Sequence, residues 1–149
     1  LDLVSWWAGE KLIKIDSSEL DTKWIGSKRN GFFEISGKIT AVFSEGSTLI
    51  LESRLDGPPI SMEVYTQVGT WKIDELNGVA SKADGVSILG KIEMQSSMTS
   101  GLIDSLLTDR NCDLPNLSDS VLMHRIFLRS LLDHWNNVHG TNVETLPIT

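Results

Sequence analysis

The chain has 149 residues, 40% of them hydrophobic, and its 13 Lys and Arg against 20 Asp and Glu leave a formal charge of −7 at pH 7. That is the size of one ordinary domain, 1–149, long enough to bury roughly 68–70% of its unfolded surface without disulfide staples. An acidic balance with no run of cations opposes nucleic-acid binding, no apolar run approaches the roughly 20 residues that cross a bilayer, and Cys112, the single cysteine, permits no intrachain disulfide, which fits a cytoplasmic location.

Residues 1–9 (LDLVSWWAG) read as the last turns of a helix, with Gly9 placed for a left-handed cap. A chain that opens in mid-helix is expected to be a piece cut from a longer polypeptide, although a processed terminus gives the same start. Ile13 and Ile15 mark a short strand. From 33 to 43, Phe33, Ile35, Ile39, Ala41 and Phe43 alternate with Glu34, Ser36, Lys38 and Thr40, which predicts a half-buried strand. Ser44-Glu45-Gly46-Ser47 is a turn by composition, and 48–55 alternate again, with Leu49, Leu51 and Leu55 opposite Thr48, Glu52 and Arg54. Asp56-Gly57-Pro58-Pro59 stops that hairpin. Ile60, Met62, Val64, Thr66 and Val68 then alternate with Ser61, Glu63, Tyr65 and Gln67, and a tight turn at Gly69 leads to a partner strand carrying Trp71 and Ile73. The polar stretch 77–85 reads as a loop, and Val86, Ile88, Ile92 and Met94 mark a last strand.

The period then changes. Met98, Leu102, Ile103, Leu106 and Leu107 fall at helical spacing over 97–109, despite Gly101, which costs about 1 kcal/mol relative to Ala. After a loop through Pro115, Ser118 can cap a longer helix whose stripe comprises Val121, Leu122, Phe127, Leu128, Leu131, Leu132 and Trp135. The tail 140–149 is expected to fray or to pack loosely. Clean alternation favours an antiparallel sheet, so the expected architecture is α+β: two layers, an open, mostly antiparallel sheet of about six strands, and helices on one face.

No dinucleotide, P-loop, nucleophile-elbow or zincin signature is present. His124 and His134 stand about three helical turns apart, too far for a two-histidine metal site, and no metal is expected. Asp16/Glu19 and Asp74/Glu75 fall in turn-like contexts and do not make an acid/base pair. Five tryptophans are many for a domain of this size. Trp71 and Trp135 sit on apolar stripes, whereas Trp24, beside Lys28 and Arg29, is either a binding or interface residue or a loop anchor.

Asp2-Leu3-Val4-Ser5-Trp6-Trp7-Ala8-Gly9-Glu10 resembles the helix end D-L-x-x-W-x-x-G of the Gfo/Idh/MocA family of nicotinamide-dependent sugar oxidoreductases. Gly46-Ser47-Thr48 leading to Ser53-Arg54, then Glu63-Val64-Tyr65 and Gly69-Thr70-Trp71-Lys72-Ile73-Asp74, is similar to that family's strand pair ending in Ser-Arg and the segment after it. Gln67 stands where the family's first glycine of that segment is usual. Leu114-Pro115-Asn116-Leu117-Ser118-Asp119-Ser120, with His124 and the Leu-rich helix, resembles the closing stretch, so the likeness covers about residues 1–138.

The resemblance implies a C-terminal substrate and oligomerisation domain of an NAD(P)-dependent enzyme acting on a sugar or nucleotide-sugar hydroxyl. The absent N-terminal Rossmann domain would bind NAD or NADP and supply the catalytic residues. It also implies that the 149 residues alone are inactive, bind no cofactor, and form a homo-oligomer through the open sheet face that carries Glu52, Arg54, Glu63 and Tyr65. Arg54, Trp24 and Tyr65 are the candidate substrate contacts, Arg54 because its donor fork suits carboxylate or phosphate. The alternatives are a stand-alone carbohydrate-binding or dimeric interaction module, and a regulatory partner that has lost its catalytic half.

Overall fold

The computed structural model describes residues 1–54, 56, 61–90, 95–110 and 116–148. Its contacts gather into two compact units, Leu1–Asp56 with Pro115–Thr149, and Gly57–Leu114.

In the first unit, α1 (Asp2–Ala8) ends at Gly9, which adopts the left-handed cap with φ 68°. The strand expected at Ile13 and Ile15 is longer, β1 (Leu12–Leu20). Register shifts between Leu12 and Lys14 and between Asp16 and Glu19 break its side-chain alternation, which hides its length in the sequence. The alternating run 33–43 is divided into β3 (Phe33–Glu34), which pairs with β2 (Ile25–Gly26), and β4 (Gly37–Phe43). The division falls at Ser36 and Gly37, where the Asp21 N–H donates to the Ser36 carbonyl at 2.9 Å and Gly37 takes φ 109°.

With β5 (Thr48–Ser53), β1 and β4 form an antiparallel sheet in the order β1-β4-β5. Ile39, Ala41 and Phe43 are buried on one face, as their alternation predicts, and α3 (Leu117–His139) covers that face. Met123 packs with Leu12, Ala41 and Phe43, while Leu131 packs with Leu20 and Ile39. Burying a Leu, Ile, Phe or Met side chain of this kind contributes up to about 1.5–3 kcal/mol of transfer free energy.

Three expectations for this unit are corrected. Asn116, not Ser118, caps α3: its Oδ1 accepts from the Asp119 N–H at 2.9 Å, which places Ser118 inside the first turn. The buried stripe of α3 is centred on Met123, Leu131 and Leu132, and Val121, Leu122 and Leu128 are exposed, because β1 and β4 meet the Met123 side of the helix. The tail does not fray at Leu146 to Ile148. Pro147 accepts from the Phe33 N–H at 2.9 Å, and Leu146 and Ile148 pack against the Leu20–Ile39–Leu131 cluster.

The second unit is an antiparallel meander in the order β6-β7-β8-β9, comprising β6 (Met62–Thr66), β7 (Gly69–Asp74), β8 (Val79–Lys82) and β9 (Ser87–Leu89). The hairpin at Gly69 forms as expected, with Thr66 opposite Gly69 and Gln67-Val68 as its two-residue loop. β8 lies inside the stretch read as a loop. Only Val79 and Ala80 signal it, and it is held by pairing with β7, with Lys82 Nζ 6.0 Å from the centre of the Trp71 ring. Helix α2 (Gln95–Asp109) matches the predicted one. The strand marks at Ile60, Ile92 and Met94, the Leu55 position, the 57–59 break and the start of the loop before α3 lie outside the described residues.

The class is thus α+β with open, mostly antiparallel sheets, and the described strands are distributed over sheets of three, two and four. Among the described residues no helix is long and apolar enough to cross a membrane.

Candidate functional site

The face of the β1-β4-β5 sheet opposite α3 carries Lys14, Asp16, Glu19, Lys38, Thr40, Val42, Ile50 and Glu52, paired across the strands by the register. In one row Glu19 stands opposite Lys38, and Lys38 opposite Glu52. Arg54, two residues on from Glu52 and just past the end of β5, stands beside Glu52 on the same face. The signs therefore alternate across the sheet, and neighbours pair: Lys38 Nζ lies 2.5 Å from Glu19 Oε2, and Arg54 reaches Glu52 Oε1 with Nη2 at 2.5 Å and Nε at 2.6 Å.

These residues border a groove of about 550 Å³, completed by Asp21, Ser36, Gly37, Ser53 and Asp56. Ser36 is buried and donates through Oγ to Asp21 Oδ2 at 2.5 Å, which fixes one carboxylate at the wall. Gly37 keeps the floor low. A Cβ there would meet Asp21 N at 2.6 Å and Glu19 O and Leu20 Cα at 2.7 Å. With four carboxylates against two cations, the groove carries a formal charge of −2.

The three sequence candidates are not equivalent. Arg54 borders the groove, but Glu52 already occupies its donor fork. Trp24 is buried in aromatic packing. It is 9% exposed, and Trp135, edge-on at 4.8 Å, His134 and His139 surround its ring. Tyr65 stands on the sheet of the second unit, exposed, with its hydroxyl donating to Glu63 Oε2 at 2.5 Å. That hydrogen bond, with the negative charge of Glu63, raises the Tyr65 pKa above its ordinary value. The same hydroxyl, followed by Lys72 at 3.2 Å, lowers the Glu63 pKa. The pairs Glu52/Arg54 and Glu63/Tyr65, expected on one sheet face, belong to two different sheets.

The three histidines do not converge. His124 and His139 donate through Nδ1 to the carbonyls of Ser120 and Trp135, one turn earlier in their own helix, and His134 Nε2 donates to the Asp21 carbonyl at 3.1 Å. Among the described residues no group of three or more His, Cys, Asp or Glu side chains is placed to hold a metal ion.

Sequence reasoning met Glu10 only as the end of the first helix motif and missed its role. It is buried, and it accepts from Ser47 Oγ at 2.5 Å and from the Glu45 and Ser47 N–H groups at 2.9 and 3.3 Å, closing the β4–β5 turn. The Ser47 hydroxyl chiefly, with these backbone donors, holds its pKa below the ordinary glutamate value against the opposing effect of burial. Its partners are more than thirty residues away, so no local pattern marks it.

A second depression, about 960 Å³, runs between β1 and α3 past Ile13, Lys14, Asp16, Arg125, Arg129 and Asp133, with Arg129 and Asp133 paired at 3.0 Å. No family model, curated protein or solved structure matches the chain.

Proposed function

We propose that the chain is the substrate-binding and oligomerisation domain of an NAD(P)-dependent oxidoreductase acting on a sugar or nucleotide-sugar hydroxyl, with NAD or NADP held by an N-terminal Rossmann domain outside these 149 residues. The observation that carries the reading is the one-sided cover of the β1-β4-β5 sheet. Helix α3 closes one face, while the other exposes Ile50 and ends in a groove of carboxylates and cations. Such a face can meet another subunit, and such a groove can order hydroxyls by accepting their hydrogen bonds. Hydride transfer needs a nicotinamide and a proton acceptor at the reacting carbinol. Both would come from the other domain, so the groove's part is to bind and orient.

The ordered likeness from Asp2–Gly9 to Leu114–Ser120 supports this division of labour, and the single cysteine agrees with a cytoplasmic enzyme. The test is the polypeptide encoded by the whole reading frame. Upstream of Leu1 it should contain a strand, a glycine-rich turn and a Glu-Lys-Pro triplet, and it should reduce NAD or NADP with a sugar. A start codon close to Leu1 would instead support the stand-alone binding or interaction module. Sedimentation adds a check on association, because a strict monomer at high concentration would count against the open face as a subunit contact.

A further inference from the structure

We infer that the groove beside Arg54 is built for an uncharged polyhydroxyl ligand and selects against anionic sugars, phosphorylated and nucleotide-linked ones included. This narrows the substrate class and rests on the proposal that the groove takes the substrate.

Both cations of the groove are already paired, Lys38 with Glu19 and Arg54 with Glu52. Arg54 already holds Glu52 through Nε and Nη2, so an incoming phosphate or carboxylate would share the guanidinium with that glutamate and meet its negative charge alongside. Asp21, held by the buried Ser36, cannot turn away. The remaining acceptors are carboxylate oxygens, which take hydroxyl donors and repel anions. A neutral sugar leaves both ion pairs intact and donates to those oxygens. Two uncompensated negative charges roughly 5 Å from a monoanion, in a water-like dielectric, weaken its binding about tenfold.

The experiment is ligand-observed saturation-transfer NMR on the 149-residue chain in low salt, with glucose, glucuronate and glucose 6-phosphate as probes. Glucose should bind about tenfold more tightly than glucuronate, and glucose 6-phosphate more weakly still. Glu52→Gln removes one carboxylate and releases Arg54, so it should narrow or reverse the glucose-to-glucuronate ratio. Glu19→Gln, a more exposed position that releases Lys38, is the second variant should the first misfold, and it should shift the ratio in the same direction. Equal or tighter binding of the anions, a ratio unmoved in a folded variant, or no binding of any probe would overturn the inference. None of these readouts uses turnover. A neutral preference in the chain alongside a full-length protein that reduces no nicotinamide would leave the groove standing and remove only the oxidoreductase reading.

Discussion

Gly37→Ala tests the geometry on which the groove depends. At φ 109° an L-residue is strained by about 1–3 kcal/mol. The new methyl would also sit 2.6–2.7 Å from three backbone atoms of β1 and the residue after it, none of which can swing aside as a side-chain tip could. Overpacking of this kind costs about 1–3 kcal/mol, and the stiffer unfolded chain returns only about 0.4–1 kcal/mol. The expected net loss is about 1–5.5 kcal/mol. Gly46→Ala is the matched control: φ is 100°, but no atom lies within 4 Å of its Cβ, so only the strain remains. Urea unfolding followed by the near-ultraviolet circular dichroism of the Trp24–Trp135 pair reads the unit that contains both sites. With a slope of about 2 kcal/mol per molar urea, the middle of the usual range, the Gly37 variant should unfold roughly 0.5–3 M earlier than wild type, and clearly before the Gly46 variant. Midpoints for the two variants that agree within experimental error would show that β1 and β4 do not meet closely at Gly37, and would remove the floor of the groove with them.

Other outcomes follow from particular contacts. Trp24→Ala should cost about 3–5 kcal/mol in the same assay, whereas Trp24→Phe should cost much less, because the buried indole N–H has no hydrogen-bond partner among the described residues; sugar binding should be unchanged in the Phe variant. Asn116→Ala should destabilise by about 0.5–2 kcal/mol and Ser118→Ala by far less, a comparison that thermal melts resolve and that identifies the cap of α3. Because the Glu10 pKa is lowered in the folded state, its contribution is present above the unfolded-state value and is lost as pH falls through the folded-state value. The melting temperature of wild type should therefore drop on acidification below the ordinary glutamate range, and Glu10→Gln should flatten that part of the profile; an identical slope in both proteins would contradict the clamp at Glu45 and Ser47.

Legibility in the sequence followed the range of the forces involved. Strand β4 and the Gly69 hairpin were readable because alternation and turn chemistry are local. β1 was readable only in part, since two register irregularities disrupt the period that announces a strand. Helix α3 was readable as a helix but not in its facing. Its Leu and Val residues spread around much of the circumference, and β1 and β4 selected the side with Met123 over the side with Leu122 and Leu128. The tail illustrates the converse: Leu146-Pro147-Ile148 looks like a loose end by composition, yet Phe33 offers a backbone donor that no local rule reveals.

The site shows the same division with a sharper lesson. Arg54 and Tyr65 stand out as a charged fork and an aromatic hydroxyl on strand positions that face solvent, and each has a glutamate two residues earlier. In an extended strand that spacing puts the two side chains on one face within reach of each other, so each donor's nearest acceptor is already written into the sequence. The structure realises both pairs, Glu52 with Arg54 and Glu63 with Tyr65. An arginine read alone suggests an anion; read with its glutamate, it suggests a neutralised wall against which an anion gains nothing. Period-2 spacing could have supplied that distinction. What it could not supply is which sheet each pair joins, because strand order is set by packing between distant segments, and here it sends the two pairs to different sheets.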